Sequence, residues 1–152
     1  MDTHSSLYKI STLSKNKLDQ LIGAFKNISN TPLLIYGPTG TGKSFHIRSI
    51  AAMLDMQLEY VMEPDKFSGK TLFKKHVIYI DTDDIRDLRN MPRNNVVIES
   101  RCISSVGRER NAMLIKFGKV SAIKIRKVLR EYTESTTTTR RLNRACTTNE
   151  VL

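Results

Sequence analysis

The chain has 152 residues, 39% of them hydrophobic and 26% charged, with a formal net charge of +10. That length supports one domain with a real core and not two, and the short apolar runs together with the polar start MDTHSSLYK predict no membrane span, no secretion, and a cytoplasmic or nuclear site. Cys102 and Cys146 are too few for a disulfide framework, so both are expected as free thiols, and three scattered histidines (His4, His46, His76) show no metal-ligand spacing.

Residues 1–13 form an N-terminal segment with only Leu7, Tyr8 and Ile10 available for burial. Ser14 is placed to cap a helix in which Leu18, Leu21, Ile22 and Phe25 repeat at the helical period. A polar stretch follows, and then Leu33, Leu34, Ile35 and Tyr36 make a buried-strand pattern. The next residues, Gly37, Pro38, Thr39, Gly40, Thr41, Gly42, Lys43 and Ser44, fill the template G-x-x-x-x-G-K-[ST] of a phosphate-binding loop. Glycines allow the tight turn and bring several backbone N–H groups to one anion, and the helix that opens at Lys43 adds its unsatisfied N–H groups and the positive end of its dipole. Lys43 is expected to reach the β- and γ-phosphates and Ser44 to hold Mg²⁺, with the contact set running from Gly37 through Phe45. Ile47, Ile50, Ala51 and Leu54 continue the helical period to about residue 55.

Residues 57–62 read as a second strand and residues 64–75 as a loop with one helical turn. Val77, Ile78, Tyr79 and Ile80 then form a continuous apolar run, as a central parallel strand requires, ending in Asp81. Ligands gather at the carboxyl ends of such strands, so Asp81 is predicted to meet the Mg²⁺ held by Ser44, in the manner of a Walker B acid. Asp83 and Asp84 begin a short polar helix or loop. Val96, Val97 and Ile98 form a fourth strand ending in Glu99, Ser100 and Arg101, and residues 112–117 a fifth. Ser121 caps a last helix with Ile125, Val128, Leu129 and Tyr132 on one face and Lys124, Arg126, Lys127 and Arg130 largely elsewhere. From residue 135 the pattern stops in a threonine run, and 135–152 is expected to be a disordered basic tail.

These pieces predict an α/β protein: a P-loop NTPase of three layers, α/β/α, on a mainly parallel five-stranded sheet, followed by a partial helical lid. The domain plan is an N-terminal segment 1–13, a core 14–120, a partial lid helix 121–134 and the tail 135–152. The charge is uneven. Residues 1–100 carry 13 Lys and Arg against 11 Asp and Glu, whereas residues 101–152 carry 12 against 4. The basic C-terminal third predicts a nucleic-acid partner contacted through phosphate, DNA in the first instance.

Residues 14–133 resemble the AAA+ ATPases, through the leading helix, the GPTGTGKS loop with Ile50-Ala51-Ala52 in the helix behind it, and VIYID as Walker B. Within that family Ser100-Arg101-Cys102 is similar to the clamp-loader motif whose arginine reaches into a neighbour's ATP, and Phe117-Gly118-Lys119-Val120-Ser121 to the step into the lid. The resemblance implies ATP and Mg²⁺ as cofactors, assembly with like or related AAA+ subunits, Arg101 acting in trans, and adenine as the base. It departs at Thr82, where a typical member has the glutamate that orients the attacking water. Asp83, or Asp84, is the substitute the sequence offers. The function so implied is an ATP-binding module in DNA replication, repair or viral genome handling that hydrolyses ATP with partner subunits. Two other readings stand beside it: a nucleotide-dependent nucleic-acid-binding scaffold without turnover, and a small-molecule P-loop kinase.

Overall fold

The computed structural model describes residues 3–67, 75–102, 110–119, 124 and 126–130. Its elements in chain order are α1 (Thr3–Ile10), α2 (Lys15–Lys26), β1 (Leu33–Tyr36), α3 (Lys43–Met53), β2 (Gln57–Tyr60), β3 (His76–Asp81), β4 (Val96–Ser100) and β5 (Met113–Lys116), with 3₁₀ turns at Pro64–Lys66 and Ile85–Leu88. Helix α1 is an addition to the sequence reading. Leu7 and Ile10, three residues apart, fall on one side of it and are buried in the core cluster shared with α2 and α3, which is enough to hold eight residues that would not be helical alone. Ser14 caps α2, its hydroxyl accepting from the Lys17 amide at 3.2 Å.

The five strands form one sheet in the order β2-β3-β4-β1-β5, every pair parallel. The three inner strands are the ones whose sequences are almost continuously apolar, because both of their faces are covered. On one face Leu33, Ile35, Val77, Tyr79, Val97, Ile115 and Phe117 pack with α1, α2 and α3. On the other, Leu34, Ile78, Ile80, Val96 and Ile98 meet Val61, Leu88 and Met91, so that among the described residues this face is closed by 3₁₀ turns and loops. The link from β3 to β4, residues 82–95, forms the 3₁₀ turn Ile85–Leu88 and then carries Pro92, which lacks the N–H a continuing helix would use.

Residues 126–130 are helical, with Arg126, Lys127 and Arg130 exposed like Lys124 and with Val128 against the main core. The predicted cap Ser121, the face residues Ile125 and Tyr132, the tail 135–152 and Cys146 lie outside the described residues. Cys102 is an exposed free thiol. No described helix is long and apolar enough to cross a membrane.

Candidate nucleotide-binding site

Register alone builds the site's floor. Strand β4 lies between β1 and β3, pairing Ile35 with Glu99, Tyr36 with Ser100, and Asp81 with Glu99, so the loop after β1 and both acids share the carboxyl edge of the sheet. Side chains alternate along strands, and Tyr79, Asp81 and Glu99 therefore belong to the α3 face.

The loop over that edge is fixed at both ends. The Gly37 amide donates to the Ser100 carbonyl at 3.1 Å, and a Cβ at Gly37 would come within 2.0 Å of the Phe117 carbonyl oxygen, so only glycine passes beneath the end of β5. Gly42 sits at φ +90° and turns the chain into α3. Between them the Thr41 hydroxyl donates to the Pro38 carbonyl at 2.8 Å, while Pro38, Thr39 and Gly40 are exposed. The first bond of α3 runs from the His46 amide to the Gly42 carbonyl at 3.0 Å, so the amides of the first turn point out of its N-terminus toward the loop. Lys43 is buried, its ammonium donating to the Gly37 carbonyl and, at 3.1 Å, to the Pro38 carbonyl; an ammonium has a third proton to offer. Phe45, the last member of the predicted contact set, turns its ring into the core at 5.4 Å from the His46 ring.

Behind the loop His46 is fully enclosed. The Gly42 carbonyl only accepts, so Nδ1 carries the proton (2.7 Å), and Nε2 accepts from the Ser11 hydroxyl (2.7 Å), which in turn accepts from the Leu13 amide (3.0 Å). Burial drives its pKa down to about 4, so the ring is neutral. It ties the end of α1 to the start of α3, a link that no spacing in the sequence announces.

In front, the Ser44 hydroxyl donates to Glu99 Oε1 at 2.9 Å, and the Tyr79 phenol donates to the same oxygen, with the Ser44 oxygen 3.2 Å from it. Burial, then the charge of Glu99, push the Tyr79 pKa far up, and it stays a donor. Asp81 is exposed, yet its pKa is raised, first by partial loss of solvent, then by the charges of Glu99 and Asp83, with Lys43 and Arg101 opposing. Among the described residues this corner sets three carboxylates, Asp81, Asp83 and Glu99, against the cations Lys43 and Arg101. A serine hydroxyl beside one or two carboxylates is the donor set Mg²⁺ takes when phosphate oxygens complete its shell, so the residues present fit that ion.

Glu99 is not among the site residues the sequence singles out, because it reads there as the polar exit of an apolar strand and its place depends on β4 lying next to β1. The alternation Val97, Glu99, in phase with Tyr79 and Asp81 once the strands are paired, is the signal for it.

The residues proposed as catalytic are brought together differently. Asp83 accepts from the Ser100 hydroxyl (2.6 Å), the Arg101 amide (2.8 Å) and Arg101 Nε (2.7 Å), which hold its pKa down to about 2. Asp83 and Arg101 thus form an ion pair with each other. Thr82 faces away from the loop, its hydroxyl bonded to Asp87 at 2.5 Å and accepting from the Asp84 amide at 3.0 Å. Asp84 caps the 3₁₀ turn and pairs with Arg86 at 2.7 Å.

Residues 32–96 match the profile of the AAA domain (dynein-related subfamily). Among solved structures the chain is similar to RuvB of Thermotoga maritima, in its T158V form, at 13% identity with a TM-score of 0.56. That match covers 85% of this chain and 54% of the RuvB chain, so the chain spans about half the length of the structure it resembles. No curated protein matches the sequence. The fold is α/β, a mainly parallel five-stranded P-loop sheet with helices, as in RuvB.

Proposed function

We propose that the chain is the nucleotide-binding core of an AAA+-type ATPase, which takes MgATP in the loop 37–44 and acts on nucleic acid together with partner subunits. The observation that carries this reading is the convergence on one sheet edge of the Lys43 ammonium, the N-terminus of α3, the Ser44 hydroxyl and the acids Asp81 and Glu99. Mg²⁺, when bound, supplies charge neutralisation at the phosphates. The protein's own part is positioning: loop amides and Lys43 for the phosphates, Ser44 and Asp81 for the cation.

Turnover needs more than this. Thr82 is committed to its turn and Asp83 to Arg101, an arrangement that supports partner-dependent hydrolysis and favours binding without turnover as the second reading for the isolated chain. In the clamp-loader-like version of the proposal, assembly draws Arg101 off Asp83 and offers it to a neighbour's nucleotide. The exposed Lys124, Arg126, Lys127 and Arg130 support contact with DNA phosphate, which carries no sequence preference.

Calorimetric titration with ATP and Mg²⁺, followed by steady-state ATPase assays with and without DNA, tests the proposal. Binding with turnover well below about 1 s⁻¹ in the isolated chain is expected. Absence of ATP binding overturns it, and rapid turnover by the monomer overturns its partner-dependent part. DNA affinity followed by fluorescence anisotropy is expected to fall steeply with salt; salt-independent binding, or none at low salt, points to an acidic protein surface instead.

A further inference from the structure

Glu99 is the only buried acid among the described residues, at 7% exposure, and no described lysine, arginine or histidine forms an ion pair with it. A carboxylate in that position costs several kcal/mol unless its surroundings repay the lost water, and here the described partners are two neutral hydroxyls on a single oxygen. Neither is needed to hold β4, whose backbone is paired on both sides. The arrangement does have a direction. Tyr79 and Ser44 both donate to Glu99 Oε1, and a serine hydroxyl has one proton and two lone pairs. With its proton given to Glu99, Ser44 can present only lone pairs to whatever sits at the N-terminus of α3.

We propose that Glu99 is the positioning residue of the divalent-cation site: acting through Ser44, it fixes that oxygen as a metal ligand and makes nucleotide binding depend on the cation. The inference rests on the MgATP reading above. Its physical content is a preference of sign. A carboxylate one hydrogen bond behind the ligand favours a dication and disfavours the bare ATP tetra-anion, whereas a glutamine of the same shape keeps an acceptor and loses the charge. Outer-shell partners of this kind change metal affinity by about 10- to 100-fold when removed.

The test is calorimetry of the full chain with ATP in excess Mg²⁺ and, separately, in EDTA, on wild type, Glu99→Gln, Ser44→Ala and the double variant. Glu99→Gln is expected to weaken MgATP binding about 10- to 100-fold while leaving bare ATP binding equal or tighter, and its effect is expected to shrink in the Ser44→Ala background. Equal losses with and without Mg²⁺, no change in either, or an undiminished loss without the Ser44 hydroxyl would overturn the proposal. Should circular dichroism show that Glu99→Gln fails to fold, Glu99→Asp serves instead: it keeps the charge one methylene short of Ser44, and an Mg²⁺ dependence equal to wild type would then count against the role. Failure of wild type to bind ATP in either condition overturns the MgATP reading itself, a separate result from Mg²⁺-independent binding.

Discussion

Two sets of acids lie near the carboxyl edge of this sheet, and their surroundings are opposite. Asp83 and Asp84 each have an arginine, Arg101 and Arg86, at 2.7 Å. Asp81 and Glu99 face each other across β3 and β4, their charges in mutual repulsion, and the described donors to Glu99 are two hydroxyls. The first set spends its charge on the shape of a loop, and the second leaves charge over. Carboxylates that lose solvent and repel each other cost the folded state more than a helix N-terminus returns, and this contrast separates the acids assigned to a ligand from those assigned to the chain.

The largest expected effect is on the cation that faces the second set. Lys43→Ala removes a buried charge-assisted donor to phosphate and should weaken ATP binding by about 3 kcal/mol, roughly two orders of magnitude; unchanged affinity in calorimetry would remove the loop from the site. His46 supplies a neutral reference behind the loop. Its folded pKa of about 4 lies below the ordinary 6.5, so the unfolded chain binds more protons between those values and stability falls as pH drops from 6.5 to 4, by up to about 3 kcal/mol. Urea denaturation across that window should show the slope in wild type and lose it in His46→Gln.

The contrast itself is sharpened by a matched pair of substitutions. Asp81→Asn should lower MgATP affinity about tenfold or more and, because the folded state raises the pKa of Asp81 and so disfavours its charge, should slightly raise the melting temperature of the nucleotide-free protein. Asp83→Asn should do the reverse, sparing Mg²⁺-dependent binding and costing stability. The same affinity loss from both would erase the distinction.

The smallest effect is the acid limb of Asp83. Its folded pKa of about 2 is depressed, so its contribution is complete above the usual carboxylate range and is lost as pH falls from about 4 through 2. At this half-exposed site that amounts to about 1 kcal/mol after solvent screening. Comparing acid denaturation of wild type and Asp83→Asn measures it.

The sequence disclosed what is local. The loop, its helix and the strands of β1, β3 and β4 are each written in consecutive residues, through glycine geometry, helical period and apolar runs, and the extra helix α1 escaped because Leu7 and Ile10 give barely one turn of period. What escaped at the site depends on neighbours distant in sequence. Asp83 reads as a spare base until Arg101 and Ser100 are seen around it, Thr82 reads as a substituted position until its turn is seen, and Glu99 reads as a strand exit until β4 is placed beside the loop.

The central position of β4 has a consequence for how the protein is made. Strand β1 and the loop it carries are complete early in synthesis, yet the partner of Leu33 is Val97 and the amide of Gly37 is held by Ser100. Contacts closed over so long a stretch of chain form late and slowly. On a ribosome the loop therefore emerges well before the strand that braces it, with β1 and β3 as unpaired edges in the interval. A nascent chain stopped short of β4 would carry the whole phosphate-loop sequence without the fold that shapes it.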